Sequence, residues 1–141
     1  MKKYIVCIMA IIMVISCAMY CYYQYKIHKS DISNNNEQYE NLYNKSITGA
    51  ELASVINKTI DRNEKNKISK DKDGFYEDDG QDSIKISIKF KDSDKTYQME
   101  ALYNKQVSNF VKYYSNAQFK CTKKDYHSKT NKIKYLYFEE Q

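Results

Sequence analysis

Proline and tryptophan are absent from this 141-residue sequence, glycine occurs three times, and Arg62 is the only arginine. Gly49, Gly74 and Gly80 are too widely spaced to build a phosphate-cradling loop. His28 and His127 are the only imidazoles, and outside the apolar N-terminal run no cysteine or histidine pair has zinc spacing, so neither a metal site nor a cofactor is expected. Cys7, Cys17 and Cys21 crowd near the N-terminus and Cys121 stands alone, so the rest of the chain cannot close an internal disulfide. Its stability has to come from a packed core. No repeat of fixed period is present, which excludes a solenoid or array.

Charge is also scarce in one sense. The net charge of +5 falls to +3 once Lys2 and Lys3 are set aside, too little to expect a nucleic-acid partner. Its distribution is uneven: Asp71, Asp73, Glu77, Asp78, Asp79 and Asp82 face only Lys72 within residues 71–82, whereas residues 105–141 carry eight lysines against Asp125, Glu139 and Glu140.

What the sequence does have is one long uncharged run. Tyr4 to Tyr23 is twenty residues without a charge, and as a helix it reaches about 30 Å, the thickness of a hydrocarbon core. Tyr4 at one end and Tyr20, Tyr22, Tyr23 and Tyr25 at the other sit where amphipathic rings favour an interface. Residues 1–25 therefore read as a membrane anchor. Lysines flank the run on both sides, but a short positive leader followed at once by apolar residues is how secretory signals begin. The expected location is the plasma membrane, single-pass, with the soluble domain outside. Val14-Ile15-Ser16-Cys17 also fits a bacterial lipobox, in which Cys17 is lipidated and becomes the mature N-terminus, so a surface lipoprotein is the alternative.

Residues 26–46 are polar and read as a tether, within which Ile32, Tyr39, Leu42 and Tyr43 would allow a short helix. Residues 47–141 have the pattern of one folded domain. Thr48-Gly49-Ala50-Glu51 is a capping box, followed by Leu52, Val55, Ile56 and Ile60 on one helical stripe that should end near Asn63 to Asn66. Asp73-Gly74 and Asp79-Gly80 are turn signals around Phe75-Tyr76. Ile84, Ile86, Ile88 and Phe90 alternate with Lys85, Ser87, Lys89 and Lys91, which predicts a strand with one buried and one wet face. Thr96 to Glu100 should return antiparallel. Tyr103, Val107, Phe110, Val111 and Tyr114 define a second helix from Leu102 to Ser115, and Gln118 to Tyr126 with Lys132 to Glu139 form a hairpin. The fold class is α+β: an N-terminal transmembrane helix, then a small domain with an antiparallel sheet and two helices on one face.

Three constellations invite chemistry. The acidic stretch fails as a calcium loop, because counting from Gly74 places Ser69 first and Gly80 twelfth, where acidic ligands are needed. Cys121, Asp125 and His127 resemble a nucleophile, an acid and a base, yet along a strand six residues span about 20 Å, beyond hydrogen-bond reach. No catalytic motif is found and no enzyme is expected. The third is the lysine-rich hairpin, where Lys120, Lys123, Lys124, Lys129, Lys132 and Lys134 form a candidate interaction surface, with the aromatic residues filling the other, buried face. An envelope protein or an anionic polymer is the expected counterpart.

The stretches Ile47-Thr48-Gly49-Ala50-Glu51-Leu52-Ala53, Asp73-Gly74-Phe75-Tyr76 and Phe119-Lys120-Cys121-Thr122, with the ending Tyr137-Phe138-Glu139-Glu140, resemble small single-anchor membrane proteins of AT-rich Gram-positive bacteria. The abundance of lysine, asparagine, isoleucine and tyrosine agrees with AT-rich codons. The resemblance implies a compartment and no activity. The layout is also similar to pilin-like subunits or secretion-apparatus components, though without the glycine and downstream glutamate of a prepilin cleavage site. The expected function is thus a membrane-anchored interaction module of the cell envelope, binding a protein or an envelope polymer.

Overall fold

The computed structural model describes residues 2–104 and 107–141. The chain divides into two compact units, residues 1–34 and 35–141. Helix α1 runs from Lys2 to Glu40. Residues 4–23 of this helix carry no charge, Ile5, Ile8, Ile11, Ile12 and Ile15 among them are exposed, and the helix is long and apolar enough to cross a membrane. Cys7, Cys17 and Cys21 lie on it as exposed free thiols.

The second unit is an α+β domain built on a five-stranded mixed sheet. After α1 come β1 (Ser46–Thr48), α2 (Gly49–Lys65), β2 (Lys85–Lys89), β3 (Thr96–Gln98), α3 (Met99–Asn104), α4 (Val107–Tyr114), β4 (Gln118–Tyr126) and β5 (Ile133–Glu140). The strand order is β1-β4-β5-β2-β3. Three of the four pairings are antiparallel and the fourth, β2 with β5, is parallel. The sheet is therefore not purely antiparallel. Ile86 lies beside Leu136 and Ile88 beside Phe138 in that parallel register, and the match of large apolar side chains on one face sets it.

Helix α2 forms where the capping box places it. Thr48 accepts the Glu51 N–H at 3.2 Å, while the Glu51 carboxylate takes the Thr48 N–H at 2.7 Å. Leu52, Ala53, Ile56 and Ile60 are buried in a core with Ile47, Ile84, Ile86, Ile88, Phe119, Leu136 and Phe138. Gly49 opens this helix because there is no room for more: a Cβ would overlap the backbone carbonyl of Tyr114. The helix ends at Lys65, and the Asn66 N–H closes the last turn on the Arg62 carbonyl at 2.9 Å. Asn63, fully buried near that end, donates to the Ile84 carbonyl at 2.7 Å and accepts the Ile84 N–H at 3.0 Å. It satisfies the backbone just ahead of β2 as a neighbouring strand would.

Three expectations need adjustment. The tether assigned to residues 26–46 is helical through Glu40, and from residue 35 it belongs to the folded unit. Tyr39 is buried, with its hydroxyl 3.2 Å from Thr59 Oγ1 on α2, and the Asn36 side chain bonds the Ile133 N–H and the Asn131 carbonyl. One well-placed aromatic ring and one amide outweigh the polar composition around them. The return strand is shorter than Thr96 to Glu100, because Met99 enters the core and Glu100 takes the Tyr76 N–H at 3.0 Å, which commits both to α3. The helix expected over Leu102 to Ser115 is described as parts of α3 and α4, with residues 105 and 106 outside the described residues, and Tyr103 is exposed rather than on the buried stripe.

Candidate interaction surface

Residues paired across a sheet point to the same side of it, so the registers define the face away from the core. The first row across all five strands is Ser46, Lys120, Glu139, Lys89 and Thr96. The second is Lys123, Tyr137, Ser87 and Gln98, and the third is Asp125, Tyr135 and Lys85. Two tyrosines on β5 thus sit in the middle of a lattice holding four lysines and two carboxylates. Both rings are partly exposed, and the Lys123 ammonium lies 5.2 Å from the Tyr137 ring centre, within cation–π range.

The six lysines expected to act together are divided by the structure. Lys120 and Lys123 belong to this face. Lys124 does not, because an irregularity between Cys121 and Lys123 shifts the alternation and pairs Lys124 with Leu136. Its ammonium meets the Glu40 carboxylate at 2.7 Å, beside a hydrogen bond from the Tyr126 hydroxyl to the same residue. These hydrogen bonds from Lys124 and Tyr126 hold the Glu40 carboxyl below its usual range, and the Lys124 ammonium is raised to about 12. Lys132 is buried and bonds Asp82 at 2.7 Å. Lys129 is exposed in the turn, and Lys134 lines a shallow depression of about 310 Å³ with Asp78, Ser83, Lys85, Asp125 and Tyr135.

Sequence reasoning missed Lys85, Lys89, Tyr135 and Tyr137 as members of one surface. The two lysines carry a local signal, the wet positions of the β2 alternation, but only the parallel pairing with β5 brings them beside the hairpin. Tyr135 and Tyr137 were expected on the buried face; Ile133, Leu136 and Phe138 occupy it instead. A second irregularity, between Asp125 and Tyr126, leaves an extra residue in β5 and changes the parity there.

The other constellations are separate. Cys121 is fully buried beside Phe119, and burial pushes its thiol up to about 11, with weaker opposition from hydrogen bonding at Tyr137 and Lys123. It is no thiolate at neutral pH. His127 is buried too, but its ring contacts Ser83 and Asp78, so these side chains do not act as a nucleophile and its base. Within the acidic stretch, Asp71 accepts the Asp73 and Phe75 N–H groups, both at 2.9 Å, and shapes its own turn. An apolar groove of about 310 Å³ between Phe90, Tyr97, Leu102, Phe110 and Tyr114 adjoins the aromatic cluster of the core. No family model, curated protein or solved structure matches the chain.

Proposed function

We propose that this chain is a membrane-anchored envelope protein whose folded domain binds an anionic envelope polymer on the sheet face that carries Tyr135 and Tyr137. The observation behind this reading is the arrangement of that face: two tyrosine rings on the central strand, with Lys85, Lys89, Lys120 and Lys123 around them and Glu139 and Asp125 as the only carboxylates in the three rows. Tyrosines present flat, rigid contact area at little entropic cost, and lysines present mobile ammonium groups to a flexible polyanion. An apolar helix crossing the membrane would hold the domain at the envelope, so modest affinity suffices, because confinement raises the local concentration of binding partners.

The location follows the same reading. The anchor spans from Tyr4 to Tyr23 and the domain lies on the extracytoplasmic side, with Cys17 retained inside the helix rather than lipidated. Intact mass of the protein extracted from bacterial membranes separates the two anchors: an unmodified full-length chain supports the spanning helix, and a mass beginning at a lipidated Cys17 contradicts it. For binding, full-length protein in mild detergent is sedimented with purified bacterial walls at rising salt. Retention that falls with salt, and is lost in a Lys85→Glu, Lys123→Glu double variant of unchanged fold, supports the reading. Retention unaffected by either change refutes it.

A further inference from the structure

The loop before β2 meets the end of β4 where a buried histidine lies against two carboxylates. The His127 side chain is 1% exposed, and its Nε2 lies 2.8 Å from the Ser83 carbonyl oxygen. A carbonyl oxygen only accepts, so Nε2 carries a proton and Nδ1 is the ring atom that can take a ligand. Nδ1 faces Asp78 Oδ1 at 3.5 Å, an acceptor that also takes the Gly80 N–H at 2.8 Å and the Ser83 hydroxyl at 3.4 Å. The Asp79 carboxylate completes a set whose ligand atoms all lie within 4.8 Å of one another. A positive charge between them, either a second ring proton or a metal ion, would stabilise the group. The spacing favours a metal ion over a proton, because N–H···O bonds are about 2.7–3.2 Å long. Two ligands of one tetrahedral ion, each bonded at about 2.0–2.1 Å, sit about 3.4 Å apart.

We propose that His127, Asp78 and Asp79 form a binding site for a divalent transition-metal ion of the zinc class. The surroundings have the form such sites take. A ligating histidine donates its other N–H to a backbone carbonyl, as His127 does to Ser83, which fixes the ring and its tautomer. Asp79 is oriented by the amides of Gln81, Asp82 and Ser83 at 2.8–2.9 Å, all on Oδ1, which leaves Oδ2 to turn towards an ion. An imidazole in the set argues against calcium and magnesium, which take oxygen ligands, and favours zinc and its neighbours. Asp78 is half exposed, which leaves a route from solvent. Bound there, the ion ties the loop at residues 78–83 to the β4–β5 hairpin, beside the Thr130 hydroxyl bond to the Gln81 carbonyl at 2.8 Å.

The test uses the full-length chain in detergent micelles, with Cys7, Cys17 and Cys21 changed to serine so that anchor thiols bind no metal. Metal-free protein is titrated with Zn²⁺ alone by calorimetry, with Co²⁺ absorption as a second readout. The expected result is one Zn²⁺ per chain and a raised Tm. Asp78→Asn keeps Oδ1 as the acceptor for the Gly80 N–H, so it should fold normally and weaken binding by at least about tenfold. His127→Gln can still donate to the Ser83 carbonyl and should abolish binding; if it fails to fold, Asp78→Asn decides alone. No stoichiometric uptake by the parent chain, or uptake undiminished in folded Asp78→Asn, overturns the proposal.

Discussion

Replacing Asn63 with alanine removes one side chain and strands two backbone groups. The Ile84 carbonyl and N–H, bonded to Asn63 at 2.7 and 3.0 Å, lie just ahead of the paired register of β2, and both Asn63 and Ile84 are fully buried. An unsatisfied buried polar group costs about 1–3 kcal/mol, so two cost about 2–6 kcal/mol. A domain of this size has about 5–15 kcal/mol in total, which makes the loss severe. With a slope of about 2 kcal/mol/M, the urea midpoint of the full-length chain in micelles, followed by tyrosine near-ultraviolet dichroism, should fall by about 1–3 M. Asn63→Asp sharpens the test. It retains the acceptor for the Ile84 N–H but turns a carboxylate oxygen towards the Ile84 carbonyl. Only the protonated acid can donate there, so its folded pKa is raised, and the variant should gain stability as pH falls from 7 towards 5. A change below about 0.5 kcal/mol for Asn63→Ala, or no pH dependence in the aspartate variant, would refute the reasoning.

Other expectations follow from the same packing. Gly49→Ala forces α2 away from the Tyr114 carbonyl and should destabilise the domain by about 1–3 kcal/mol or more, measured as a lower urea midpoint; a neutral result would contradict the close approach. Cys121, with its thiol at about 11, has about one part in three thousand as thiolate at pH 7.5. With Cys7, Cys17 and Cys21 replaced by serine, it should resist alkylation when folded and react promptly in urea. The Asp79 carboxyl is held at about 2 against 3.8 when unfolded, so its contribution to stability is present above about pH 4 and is lost as pH falls towards 2. Asp79→Asn should flatten that part of the acid transition in a pH series of urea midpoints; an unchanged profile would count against it.

Local rules were legible in the sequence and non-local ones were not. The Thr48–Glu51 capping box and the alternation from Ile84 to Phe90 depend on residues a few positions apart, and both stand where periodicity places them. The β4–β5 hairpin was visible for the same reason. The parallel pairing of β2 with β5 was not, because it joins distant segments and leaves no periodic trace. That pairing decides the candidate surface, since it sets Lys85 and Lys89 beside Tyr135, Tyr137 and Glu139. The irregularities near Thr122 and in β5 explain the misplaced side chains: one extra residue exchanges the faces, and turns Lys124 from the expected surface to Glu40. The long apolar N-terminal helix needed no tertiary information, because its signal is length and composition. His127 illustrates the opposite case, its neighbours Asp78 and Asp79 lying far away in sequence within what reads as a solvated turn.

The proposed function requires the tyrosine-bearing face to meet the envelope. A photoreactive benzoyl-phenylalanine placed at Tyr137, and in a separate chain at the exposed Tyr113 on α4, reports this directly when intact bacteria expressing each are illuminated. The expected result is a high-mass adduct from position 137 that purified wall hydrolases collapse, and none from position 113. Silence at 137, or equal adducts from both positions, would contradict it.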